Sequence, residues 1–262
     1  MLKGAETIEE TKTAAKPSAP GLVERTIVYI RDYVAKQNLR PGAKLPSETK
    51  LSEVLGVSRP VVREAMRALA GTGLIEMAVG KRAIITRLDG EMIGQIIENA
   101  VLIGQADTRN VLEMRRSLEI GMVALAASRR SADDVTRLQG IVRAMAEALH
   151  SGPQYSALDL QFHLALAEAA GNPLYVLLIE AFRQVFEASM LEGMERRSNN
   201  PELETVQRLH EAIVEAVTAG DPAAATKAMS DHFDEAYSKF WTDRIGFLTS
   251  RKDQTKMAAD SE

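Results

Sequence analysis

The chain has 262 residues, 45% hydrophobic and 26% charged, values that suit a soluble globular protein of one large or two modest domains. It has no cysteine, which excludes disulfides, thiolate metal sites and cysteine nucleophiles, and fits a cytoplasmic location. The net charge of −4 conceals an asymmetry: residues 21–88 hold twelve Lys/Arg against six Asp/Glu, whereas residues 89–262 hold 17 against 27. Only the first segment is suited to meet an anionic polymer.

Residues 1–20 are charged, rich in Ala, Thr and Pro, and lack the apolar core of a secretory signal; they are expected to form a disordered tail. No apolar run is long enough to cross a bilayer, so no membrane role is expected. Val23, Ile27, Ile30 and Val34 form a helical stripe over residues 22–36, broken by Arg40-Pro41-Gly42. Ser47 is placed to cap a short second helix through Leu51 and Leu55, which Gly56 ends. Ser58 is expected to cap a third, with Val62, Ala65, Met66 and Leu69 buried and Gly71 and Gly73 closing it. Two strands follow, over 74–79 and 83–86, joined at Gly80-Lys81-Arg82. Three helices and a hairpin within residues 21–88 predict a winged helix-turn-helix.

On the third helix, Arg59, Arg63 and Arg67 are spaced four apart and share the face opposite the apolar stripe. A helix N-terminus favours phosphate, and arginine forks bind guanine O6 and N7. Lys81 and Arg82, at the hairpin tip, are placed to reach an adjacent groove or phosphates. Each of these charges alone is as readily a solvated surface residue; their joint placement predicts contact with double-stranded DNA.

From residue 89 the pattern is helical almost throughout, with helices expected near 89–104, 108–128, 132–149, 155–170, 173–194, 202–219 and 222–246. The short breaks between them imply antiparallel neighbours, so residues 89–247 are expected to form an all-α antiparallel bundle, with a disordered tail over 248–262. The fold class is therefore mainly α.

Four histidines occur in the chain. Asp159 and His163 lie one helical turn apart, a spacing that also serves simple acid–histidine links. His210 and His232 flank the Gly220-Asp221-Pro222 turn at nearly equal distances. At about 1.5 Å per residue both lie roughly 15–18 Å from that turn, so an antiparallel hairpin sets them at one height. Three imidazoles and a carboxylate suit a divalent transition metal, zinc or nickel foremost and manganese as a third candidate. His150, beside a Ser-Gly-Pro loop, is left over.

Residues 39–76, LRPGAKLPSETKLSEVLGVSRPVVREAMRALAGTGLIE, resemble the N-terminal domain of GntR-type regulators, most specifically in LGVSR-x-x-VREA. The resemblance implies DNA contact by Arg59 and Arg63, with the wing around Gly80 assisting. Thr49 and Lys50 stand where many relatives have an arginine after the LP-x-E element, Pro60 replaces a frequent hydroxyl residue, and Arg82 takes the place of a common second glycine. The segment from Asp89 to Phe247 resembles the FCD effector domain of the FadR-type branch. That resemblance implies a metal held by Asp159, His163, His210 and His232. Arg115 holds the arginine position of E-x-R-x-x-L-E, which in relatives faces the effector. Its alternative is a surface pair, by Arg115 or Arg116, with Glu113 or Glu119.

The resulting expectation is a non-enzymatic, homodimeric regulator whose operator affinity responds to a small organic acid, with repression relieved by effector the commoner outcome in the family. Two alternatives accompany it: a metal-dependent hydrolase with an accessory nucleic-acid domain, and a regulator with a purely structural metal. A hydrolase needs a base or nucleophile beside the metal, and Leu160, Phe162 and Leu166 supply none.

Overall fold

The computed structural model describes residues 21–183 and 201–235. The tails expected over 1–20 and 248–262, and residues 184–194 and 236–246 of two expected helices, lie outside the described residues. The described chain is mainly helical, with one two-stranded sheet, and divides into two compact units between Leu88 and Asp89.

In the first unit, α1 (Leu22–Lys36), α2 (Glu48–Leu55) and α3 (Arg59–Gly71) precede β1 (Ile75–Glu76) and β2 (Ile84–Ile85). Ser47 caps α2 by accepting from the Lys50 amide, and Gly56 ends it in a left-handed turn at φ 62°. Val62, Ala65, Met66 and Leu69 of α3 are buried as the periodicity predicts, around Ile30, Leu45, Leu51, Ile75 and Ile85. One local expectation does not hold. Ser58 stands at the N-cap of α3 without a side-chain bond; Pro60, which has no amide hydrogen, follows in the first turn and needs no capping partner. Gly71 is the last residue of α3, Thr72 is its C-cap, and Gly73 follows at φ 73°, so the helix closes where the glycines predict.

The strands are two residues each, shorter than expected, pairing Ile75 with Ile85 and Glu76 with Ile84. The backbone of 42–45 joins β2 on its other side: the Leu45 amide donates to Ala83 O at 2.9 Å and the Ile85 amide to Ala43 O at 2.8 Å. That segment reads in the sequence as a helix break, yet it provides the third line of the wing.

In the second unit, α4 (Glu91–Leu102), α5 (Thr108–Arg129), α6 (Ala132–Glu147) and α7 (Gly152–Ala169) lead to α8 (helical over 173–183), α9 (Pro201–Ala219) and α10 (helical over 222–235). Capping boxes start α5 (Asp107 with Asn110) and α6 (Ser131 with Asp134), each satisfying amides that have no partner within the helix. α7 begins at Gly152, earlier than expected, because Pro153 occupies a first-turn position that needs no amide hydrogen. α7 packs on α5 and α6, and α9 does the same. The core runs through Met122, Leu138, Met145, Tyr155, Phe162, Leu166, Ile213, Met229 and Phe233. No helix among the described residues is long and apolar enough to cross a membrane.

α4 enters this unit through a close approach. A Cβ on Gly90 would lie 2.3 Å from the Ala181 nitrogen and 2.5 Å from the Glu180 carbonyl carbon, both main-chain atoms of α8. The Gly90 amide donates to Glu180 Oε2 at 3.1 Å, fixing the approach. Gly90→Ala forces α4 off α8 and is expected to cost about 1–3 kcal/mol, the usual cost of overpacking. A thermal midpoint equal to that of the unsubstituted chain would contradict this.

Candidate metal centre and DNA-reading surface

α7 carries Asp159 and His163 on one inward face, α9 brings His210 and α10 brings His232. The Gly220 turn sets the last two level, with ring centroids 4.5 Å apart. Each imidazole offers a ring nitrogen, and these lie within 4.8 Å of one another. Asp159 Oδ1 stands 3.0 Å from His210 Nε2 and 3.9 Å from His163 Nε2. All four predicted ligands thus converge, whereas His150 is exposed and outside the group. His163 and His210 are 1% and 0% exposed, Asp159 and His232 8% each, so the slight opening lies on the Asp159–His232 side.

The donor set fits a divalent cation. His163 Nε2 and His232 Nδ1 are buried without a hydrogen-bond partner, and His210 Nε2 has only Asp159 Oδ1 beside it, a cost a protein interior does not ordinarily carry. Burial pushes Asp159 up, but its bond with His210 and the three neighbouring imidazoles bring it well below the usual carboxylate range. Burial and the adjacent His210 and His163 push His232 well below its ordinary value. An ionised carboxylate with neutral imidazole is the protonation state that metals bind. Two ligands about 2.1 Å from one ion at 90–109° stand about 3.0–3.4 Å apart, in keeping with the Asp159–His210 spacing.

Behind His163 lies a residue to which the sequence reading assigned only a surface pairing. Glu119 of α5 is fully buried, with Oε2 against His163 Nδ1 and Oε1 accepting from Arg115 Nε at 2.7 Å. Burial alone would raise its carboxyl; Arg115 and His163 instead bring it down to about 2. The Arg115–Glu119 pair therefore belongs to the interior rather than the surface, the arginine side chain being 12% exposed. Its guanidinium also stacks over Phe233, 5.7 Å from the ring centroid. Arg116 turns outward to Ser230 and Asp234, and Glu113 pairs with Arg109. Behind His210 stand Tyr155 and Gln207, also unassigned from sequence. Burial, with Asp159 and Glu211 nearby, raises the Tyr155 hydroxyl far above its usual range, so it stays protonated.

In the first unit, Arg59, Arg63 and Arg67 are exposed along one side of α3. Arg63 is held across the helix-turn-helix by Glu48 of α2, through Nη2 to Oε2 at 2.7 Å and Nε to Oε1 at 3.1 Å. This bond, with the charges of Arg63, Arg59 and Arg67, lowers the Glu48 carboxyl, against a smaller opposing effect of burial. Thr49 is exposed on the same turn of α2. At the wing tip Gly80 adopts φ 72°, a conformation that favours glycine, and Lys81 is exposed. Arg82 turns back instead, donating through Nε and Nη2 to Leu45 O at 2.7 and 2.5 Å and tying the wing to the 42–45 segment.

Comparison with known proteins agrees with both units. Residues 22–85 match the family described as bacterial regulatory proteins, gntR family, and residues 110–235 match the FCD domain. The HTH-type transcriptional regulator LutR of Bacillus subtilis is 35% identical over 196 residues, covering 74% of this chain and 90% of that protein. The HTH-type transcriptional repressor NanR of Cronobacter sakazakii is 27% identical, covering 80% of this chain and 81% of that protein. A solved GntR structure from Streptococcus agalactiae superposes with TM-score 0.65 at 26% identity, covering 83% of this chain and 99% of its own. These matches are to regulators rather than enzymes, and the chain belongs to the GntR family of bacterial transcriptional regulators, with a C-terminal FCD domain.

Proposed function

We propose that this regulator is a homodimeric, cytoplasmic repressor whose hold on its operator is controlled by a small organic acid bound at a metal-containing pocket of the helical unit. The observation that carries this reading is the convergence of Asp159, His163, His210 and His232, with buried ring nitrogens left unpartnered. Those four side chains would hold the ion, zinc or nickel foremost and manganese as a third candidate. A metal bound there supplies a positive centre with positions open to an oxygen ligand. Arg115 supplies a second positive charge, linked to His163 through Glu119. A carboxylate held between two cations is chemically matched to this pair. An acid bound there that favours one arrangement of the DNA-reading units is in turn weakened by DNA, because linkage is reciprocal.

At the DNA end, Arg59, Arg63, Thr49, Gly80, Lys81 and Arg82 are the residues assigned to contact. Arg63 and Arg59 are suited to base edges, and Lys81 to phosphate. Arg82, bonded to Leu45 O, contributes through the shape of the wing. Glu48 holds the Arg63 guanidinium in a fixed direction, which limits the rotamer freedom lost on binding.

Retardation of operator DNA by the metal-loaded protein, with and without a panel of small carboxylates, tests the whole reading. At least one acid is expected to release the DNA; a panel that changes neither DNA binding nor the thermal midpoint would instead indicate a structural metal. Zinc or nickel at a hundredfold excess over Kd is expected to add about 2.7 kcal/mol to the unfolding free energy. His210→Ala should abolish that gain, and an unchanged metal-induced rise in midpoint would remove His210 from the ligand set. Arg63→Ala is expected to weaken binding to the specific operator by about 1–3 kcal/mol and to random DNA far less. Equal losses on both would show a phosphate contact only. Arg115→Lys keeps a charge beside Glu119 but loses the planar fork. It is expected to leave acid-free DNA binding intact and to raise the acid concentration needed for release about tenfold or more.

A further inference from the structure

Arg63 has one edge left to offer DNA, because Glu48 holds the other. A guanidinium carries its donors in one plane, as a fork at its side (Nε–H with Nη2–H) and a fork at its end (Nη1–H with Nη2–H). Glu48 takes the side fork: Nε donates to Oε1 at 3.1 Å and to Oε2 at 3.2 Å, and Nη2 donates to Oε2 at 2.7 Å. Planarity then turns Nη1–H and the second Nη2–H away from the carboxylate, on a side chain that is 51% exposed. Glu48 is more covered, at 22%, and its backbone is fixed in the first turn of α2, directly after the Ser47 cap. Arg59 and Arg67, one turn away on either side, act on it through charge alone.

We propose that Glu48 is a positioning residue that makes Arg63 a reader of guanine and stays bonded to it in the DNA complex. The end fork matches two acceptors set side by side, and in the major groove only guanine presents them, as O6 and N7. Adenine sets a donor beside its N7, thymine has O4 beside a methyl group, and cytosine offers a donor. An arginine left to itself can turn either fork to a phosphate instead. Glu48 closes the side fork, and its charge repels phosphate oxygens from this spot. Acid and arginine together are close to neutral, so the pair adds little to the sequence-independent attraction between the basic unit and DNA. What it contributes is selectivity. The inference rests on the assignment of Arg63 to a base edge, which Arg63→Ala tests by itself.

The probe is a duplex enriched from a random-sequence library by the full-length protein, with zinc present and acid absent. Each guanine of the enriched site is replaced in turn by adenine and by a deazaguanine lacking N7. Kd is read by fluorescence anisotropy for the unsubstituted chain, Glu48→Gln, Glu48→Ala, Arg63→Ala and the Glu48→Gln, Arg63→Ala double variant. The guanine read by Arg63 is the one whose replacement weakens the unsubstituted chain about 5–150-fold and leaves Arg63→Ala unaffected. At that guanine the preference should fall about threefold or more in Glu48→Ala, and by less in Glu48→Gln, which keeps one acceptor. Both variants should bind random-sequence duplex more tightly than the unsubstituted chain and lose affinity more steeply as salt rises. In the Arg63→Ala background, Glu48→Gln should leave the guanine preference unchanged. A merely structural role weakens every duplex in the Glu48 variants, and a simple charge effect tightens every duplex equally. Either result overturns the proposal, as does a guanine preference kept within twofold in both variants. If Arg63→Ala weakens every duplex alike, the base-edge assignment itself fails and takes the guanine reading with it.

Discussion

Five ionisable side chains buried against one another set the architecture of the helical unit. Asp159, Glu119, His163, His210 and His232 come from α5, α7, α9 and α10, and none is more than 8% exposed. An isolated charge in such surroundings costs far more than any single apolar contact returns, so these groups persist only if they meet one another or a cation. The helices must therefore cross at this height and in these rotations. Phe162 packs its ring edge-on to both His163 and His210, and Phe233 does so to His232. The apolar core and the polar centre thus fix each other.

Within this centre the two carboxylates do different work. Asp159 faces the imidazole nitrogens that have no other partner. Glu119 faces the far nitrogen of His163 and is neutralised on its other oxygen by Arg115. In the proposed reading, this makes the arginine and the metal centre parts of one connected network. An anion that draws the guanidinium away from Glu119 alters what His163 rests upon. Coupling of this kind requires contiguous contacts with more than one arrangement, and the Arg115–Glu119–His163 chain supplies the contiguity.

Legibility in the sequence followed the range of each interaction. The buried face of α3 and the caps at Ser47 and Gly56 depend on neighbours within about one turn, and local pattern gave them correctly. The level placement of His210 and His232 follows from counting residues on either side of a tight turn, because helix rise is constant. Glu119 was harder. Its i,i+4 relation to Arg115 was visible and suggested a surface pair; only the packing of α7 on α5 makes it interior. Tyr155 meets Gln207 and His210 across 52 and 55 positions of chain, where periodicity carries no information. The 42–45 segment was hidden differently: Pro41 and Gly42 mark the end of a helix, but nothing local says that the next backbone amides join a strand forty residues on.

The same distinction bears on the DNA-reading surface. Arginine spacing on α3 identifies a face, but not how a guanidinium is held on it. Glu48, fifteen residues before Arg63, takes that guanidinium through both Nε and Nη2. A carboxylate beside a phosphate backbone costs Coulomb energy, yet a long arginine left to itself loses rotamer freedom when it binds. Glu48 is partly covered and already bonded, so the ordering of Arg63 is completed in the folded protein, before DNA arrives. The helix-turn-helix thus repeats at its surface the device found in the core: a carboxylate on one helix fixes the direction of a functional side chain on another. The difference is solvent. The Glu48–Arg63 pair lies open to water and to screening by salt, whereas the buried Glu119 has no water to replace what it holds.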